Sequence, residues 1–113
     1  MAELEDKYET SFKIISIAGD SRSMSLEAIE KAKQGSFDEA ESLLSEAAVR
    51  MKEAHEFQFD LVTNECNGTP VEINILLIHA EDHLSMAIEA LSLAQSFIFL
   101  AREMKELKQR QQP

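Results

Sequence analysis

Four titratable residues fall within seven positions, Ile78 to Leu84, of a largely apolar stretch from Val71 to Ala90: His79, Glu81, Asp82 and His83. On a helix, residues three and four apart share a face, so His79, Asp82 and His83 would cluster. Titratable groups in apolar surroundings are costly unless paired or used. Three readings of the cluster compete. In the first, it is structural, because a core histidine satisfied by a carboxylate is common. Two histidines and an aspartate within five residues weigh against that. In the second, it binds a metal: His and Asp at these spacings can supply three ligands from one helix turn. His55 is a candidate further ligand, but no cysteine assists and the H-E-x-x-H order is missing. In the third, it is a nucleophile. Neutral imidazole can accept a phosphoryl group and pass it on. That needs an accessible ring nitrogen, a group orienting the other nitrogen, and donors for the phosphoryl oxygens.

Helices must hold these residues. The 113-residue chain is 44% hydrophobic and 28% charged, with only three Gly and two Pro. That is enough for one domain, residues 1–113, with a modest core. A net charge of −10 argues against a nucleic-acid binder and against docking on anionic lipid. It favours a partner with a basic rim. Cys66 is the single cysteine, so no internal disulfide forms, and it sits in a polar turn as an incidental thiol. The acidic start Met1-Ala2-Glu3-Leu4-Glu5-Asp6 does not read as a signal peptide. No sustained apolar run of spanning length is evident. The expected compartment is the cytoplasm.

Three helical patterns with two breaks are expected. The first runs from about Leu4 to Gln34, with Tyr8, Phe12, Ile15, Ala18, Ile29 and Ala32 at helical spacing. Gly19 costs about 1 kcal/mol there against alanine and leaves a choice between a continuous and a kinked helix. Gly35 reads as the residue beyond its C-terminus. Ser36 and Glu39 then form a capping-box pattern. Ala40, Leu44, Ala47, Met51, Ala54, Gln58 and Leu61 make the packing seam of the second helix, with Glu39, Glu46, Arg50, Glu53 and Glu56 opposite. Asn64 to Thr69 is the second break. Thr69-Pro70 or Asn74 starts the third helix, which runs to about Lys108. That helix carries two apolar stripes: Leu76, Ala80, His83, Ala87, Ala90, Ala94, Phe97, Ala101 and Met104, and, rotated from it, Ile75, His79, Asp82, Met86 and Leu93. A helical hairpin covers only one side of such a helix, so another copy of the chain is expected on the other.

Ile78-His79-Ala80-Glu81-Asp82-His83-Leu84 resembles the V-H-A-Q-D-H-L segment of enzyme IIA of the lactose/cellobiose (N,N′-diacetylchitobiose) class of the bacterial phosphoenolpyruvate-dependent sugar phosphotransferase system. Ala18-Gly19-Asp20-Ser21-Arg22-Ser23 resembles that family's A-G-D-A-R-S. Lys33-Gln34-Gly35-Ser36-Phe37 is similar to its K-Q-G-D-F turn, and Glu53-Ala54-His55 to its E-A-H. The resemblance covers roughly residues 14–108.

The resemblance implies an all-α antiparallel three-helix bundle that assembles into a homotrimer. It implies that His79 carries a phosphoryl group, taken from the phosphocarrier HPr and given to a cysteine of the cognate IIB protein. The membrane component IIC then couples transfer to uptake of a disaccharide such as lactose, cellobiose or chitobiose. Cys66 is not that cysteine. His83 is expected beside the phosphoryl site as a supporting group. Asp82 corresponds to the family aspartate at the trimer axis, which holds a divalent metal ion such as Mg as a structural cofactor. Three carboxylates brought together in an apolar core need a cation or shared protons. One position departs from the pattern: the family's Gln is Glu81 here, and an ionised carboxylate cannot donate to a phosphoryl oxygen.

A different class also matches part of the chain. Lys31-Ala32-Lys33-Gln34-Gly35-Ser36-Phe37-Asp38-Glu39-Ala40 resembles a tetratricopeptide-type helix junction, which would make this a non-catalytic interaction module. No second copy of the motif follows, and a solenoid needs several. That reading also leaves His79, Asp82 and His83 unused.

Overall fold

The breaks at Gly35 and around Gly68 separate three helices in the computed structural model of the chain: α1 (Ala2–Lys33), α2 (Phe37–Cys66) and α3 (Ile75–Arg110). Residues 2–112 are described, with side chains from Tyr8 onward. No strand occurs among them. Gly35 and Gly68 both take positive φ, +82° and +86°, where a side chain would be strained. Gly35 closes α1 as expected: the Ser36 N–H returns to the Lys31 carbonyl at 2.9 Å.

Consecutive helices run antiparallel. Ser21 meets Ala47 and Lys31 meets Glu39 between α1 and α2, and Arg102 meets Glu41 between α2 and α3. The molecule is a rod of 68 × 27 × 19 Å. α1 lies at its centre, packing extensively on both other helices, which touch each other less. The all-α antiparallel bundle expected from the sequence is therefore present within the chain.

Two core clusters lie along the rod. Ala28, Ala32, Phe37, Ala40, Leu44, Ala94 and Ile98 form one, near the α1–α2 turn. Ile14, Ala18, Ala54, Ala80, Leu84 and Ala87 form the other, near the start of α3. Nine of the fourteen buried apolar residues are alanines, so the helices approach closely but bury little surface per residue.

Several local expectations are corrected. The buried face of α1 is Ser11, Ile14, Ala18, Ser21, Ser25, Ala28 and Ala32, an unbroken alternation of three and four. Tyr8, Phe12 and Ile15 belong to an adjacent, outer stripe, and Phe12 is 58% exposed. Three serines on the true seam hid it from an apolar count. α1 is continuous through Gly19. The capping box does not form, because the Ser36 side chain makes no cap bond. Glu39 instead reaches Lys31 at 3.0 Å, and that hydrogen bond and charge raise the Lys31 pKa. α2 runs on to Cys66, into the break expected from Asn64 to Thr69. Thr69-Pro70 does not start α3. Asn74 does, accepting from the Leu77 N–H at 2.9 Å. Finally, one stretch of α3 reaches a mean hydropathy of 1.6, which by length and composition alone is enough to cross a membrane. No unbroken apolar run of that length shows in the sequence, because Ser85, Glu89, Ser92, Gln95 and Ser96 interrupt it without making it polar. Here that helix packs along α1.

Candidate functional site

The site is built by one turn of α3 close to its start. Asn74 fixes where the helix begins, and Ala80, Leu84 and Ala87 anchor it against Ile14, Ala18 and Ala54. That register decides which neighbours face outward. His79 and Asp82 are exposed, and Glu81 and His83 are half-buried. The cluster is therefore not a core histidine satisfied by a carboxylate, the first of the three readings. It lies at the surface of the chain because Ala80 and Leu84, not the histidines, take the buried positions.

The two imidazoles meet. His79 Nε2 and His83 Nε2 are 3.1 Å apart, and the rings pack edge to face with centroids at 4.5 Å. Such a contact requires one nitrogen to donate a hydrogen and the other to offer its lone pair. Asp82 shares neither contact: it makes no hydrogen bond or ion pair among the described residues. The expected three-residue cluster is therefore a histidine pair with a separate carboxylate. His55 is exposed on α2 and takes no part in the pair. Among the described residues, no three His, Cys, Asp or Glu side chains converge on a point that could hold a metal within one chain. Glu81, two positions from His79, lies about 200° around the helix from it. Its carboxylate therefore lies on a different side of α3 from the histidine pair. Cys66 is exposed at the far end of α2.

Asp82 belongs to the second stripe of α3. Ile75 is 81% exposed, and Met86, Leu93, Phe97, Leu100, Met104 and Leu107 are also exposed. From Met86 this stripe continues through Ala90 to Leu107 with spacings of four and three, a coiled-coil-like seam that the described residues leave largely open. Beyond Leu93 the structure departs from the sequence expectation: Phe97 and Met104, at inner-seam spacing with Ala94 and Ala101, are both exposed.

An exposed histidine pair on an apolar helix face suits group transfer between proteins, and comparison with known proteins gives the pair its family. The sequence profile of the "PTS system, Lactose/Cellobiose specific IIA subunit" family matches residues 9–102. The chain belongs to this IIA family. The lichenan-specific phosphotransferase enzyme IIA component of Bacillus subtilis is 36% identical over 102 residues, covering 90% of this chain and 93% of that protein. Among solved structures, the cellobiose-specific enzyme IIA of Bacillus anthracis superposes with a TM-score of 0.86 at 39% identity, covering 88% of this chain and 92% of that one. The N,N′-diacetylchitobiose IIA of Escherichia coli, solved in complex with HPr, superposes with a TM-score of 0.76 at 27% identity, covering 88% and 96% of the two chains. As a IIA subunit, this protein is a phosphocarrier component of a sugar phosphotransferase system. The tetratricopeptide-type alternative falls with that match, since the profile spans the junction and the histidine pair together.

Proposed function

We propose that His79 accepts a phosphoryl group from the phosphohistidine of HPr and passes it to a cysteine of the cognate IIB, on the cytoplasmic side of a sugar transporter. The observation that carries this reading is the exposed His79 ring with a second imidazole held 3.1 Å from its Nε2. In the first step the N–P bond on HPr breaks as an N–P bond forms on His79. In the second, that bond breaks as an S–P bond forms on IIB. Neither step needs a redox partner. His83 supports both. With its Nε2–H directed at His79 it fixes the ring, and the same N–H can turn to an arriving phosphoryl oxygen, where charge is greatest. The solved complex of the chitobiose IIA with HPr supports HPr as the donor.

The assembly proposed is a homotrimer built on the outer stripe of α3. Burying each of its large side chains contributes about 1.5–3 kcal/mol. The stripe would bring Asp82 of three copies together. Alone in its chain and without a partner, Asp82 fits a shared site for a divalent cation such as Mg, which would neutralise carboxylates that could not stay ionised side by side. The ion would hold the assembly, and the transfer uses His79. The sugar is a disaccharide or oligosaccharide of the kind named for the relatives: lichenan fragments, cellobiose or diacetylchitobiose. IIB and the membrane component IIC select it.

The decisive experiment is incubation with enzyme I, HPr and labelled phosphoenolpyruvate. One acid-labile, base-stable phosphohistidine is expected, absent in His79→Ala. Label retained in that variant would sink the assignment.

A further inference from the structure

A second surface lies between α1 and α2. Met24 of α1 and Ser45, Glu46, Val49, Arg50 and Glu53 of α2 line an open cleft of about 440 Å³ between the two helices. No α3 residue lines it, so an assembly built on α3 leaves it open. Val49 is 60% exposed there, and Met24 is half-buried. Met is the apolar side chain best able to adapt its shape to a visitor.

Charge surrounds this apolar floor in a pattern. On α1, Met24 is bracketed by Asp20 four residues before and Glu27 three residues after, both exposed. On α2, Val49 is bracketed by Glu46 and Glu53 in the mirror arrangement. These spacings place each carboxylate on the same helix face as the apolar residue it flanks. Arg50 is the one cation among them, paired with Glu53 at 3.4 Å. Asp20 and Glu46 have no ion-pair partner among the described residues, and Glu27 shares the field of Lys31, which Glu39 already holds.

The geometry points to a docking groove for a basic amphipathic helix of a partner protein. An aliphatic anchor would sit between Met24 and Val49, with Lys or Arg residues reaching the four carboxylates. Glu46 and Glu53, seven residues apart, are about 10 Å apart along α2, the distance between basic residues two turns apart on a visiting helix. The groove is independent of the phosphoryl transfer at His79, so a partner can hold the protein while that site is in use.

The test uses an amidated peptide of about fourteen residues, with leucines at i, i+3 and i+7 flanked by lysines, titrated into ¹⁵N-labelled protein. Saturable shifts are expected at the amides of Met24, Glu46, Val49 and Glu53. Val49→Ser, and Glu46→Gln with Glu53→Gln, should weaken binding about tenfold. Glu103→Gln should leave it unchanged, and phosphorylation should proceed at the wild-type rate in every variant. Three results would overturn the proposal: shifts spread over the acidic surface without regard to Val49; equal binding of a peptide with the same lysines and scrambled leucines; or concentration-dependent self-association lost in Val49→Ser, which would make the occupant a second copy.

Discussion

His79 and His83 face each other through the same ring atom: their Nε2 nitrogens are 3.1 Å apart across one turn of α3. Only one of the two can carry the hydrogen between them. If His79 is to attack phosphorus through Nε2, the hydrogen belongs to His83, and the contact must open as the phosphoryl group arrives. His83→Ala should therefore leave His79 phosphorylatable but slow the transfer from phospho-HPr by about 10²-fold, the usual loss for one transition-state donor. His83→Gln, which keeps an N–H at similar reach, should recover part of the rate. Rapid-quench measurement of label transfer reads both. Equal rates in wild type and His83→Ala would assign His83 a packing role alone.

Asp82 sits within an apolar stripe with Ile75 and Met86, with no partner among the described residues. In the proposed trimer three such carboxylates converge, and their repulsion is relieved by a cation or by removing the charges. Chelation should therefore lower the thermal midpoint of the wild-type assembly and leave that of Asp82→Leu unchanged. Asp82→Lys, which places three ammonium groups at the same point, should yield monomers in light scattering. Intact trimers of Asp82→Lys would rule out an axial position.

The seam of α1 contains two serines with opposite balances. Ser21 Oγ donates to the Ala47 carbonyl of α2 at 2.7 Å. Ser25 Oγ, one turn on and fully buried, has no partner. Ser21→Ala should cost about 1 kcal/mol in urea unfolding, the net worth of a buried hydrogen bond. Ser25→Ala removes an unsatisfied hydroxyl and should be neutral or stabilising by up to about 1 kcal/mol. A loss at Ser25 as large as that at Ser21 would mean that its hydroxyl is bonded in solution.

How much of this could be read in the sequence depended on whether a local signal had a competitor. The spacing Ala40, Leu44, Ala47, Met51, Ala54 marked the inner face of α2, because glutamates occupy the other side and leave one answer. On α1 two apolar stripes adjoin, and the larger side chains, Phe12 and Ile15, mark the outer one. The buried seam is made of serine and alanine, whose fit depends on how closely α2 and α3 approach. The capping box at Ser36 failed because Glu39 had a better partner in Lys31, which only the folded turn brings near. At the site, helical spacing correctly paired His79 with His83. It placed Asp82 with them as well, since three residues on one turn share a face in projection. Which of them touch depends on side-chain direction, and projection does not contain that. What other copies would bring beside His79 in the proposed trimer is reported by no pattern within one chain.

Gly19 offers the sharpest test of whether the outer face of α1 is covered. It lies within a continuous helix, where glycine costs about 1 kcal/mol relative to alanine, and it takes no positive φ that would demand it. A Cβ added there meets no atom within 4 Å. Within one chain, then, Gly19→Ala should stabilise by about 0.5–1 kcal/mol through helix propensity and the reduced entropy of the unfolded chain. Gly19 shares its face with Phe12, Ile15 and Leu26, an apolar stripe that the chain leaves partly open. If another copy packs closely there, the added methyl meets its backbone and the sign reverses. Urea unfolding at two protein concentrations separates the cases. A gain independent of concentration leaves the face open to solvent. A loss at high concentration that fades or turns into a gain on dilution places a second copy against Gly19.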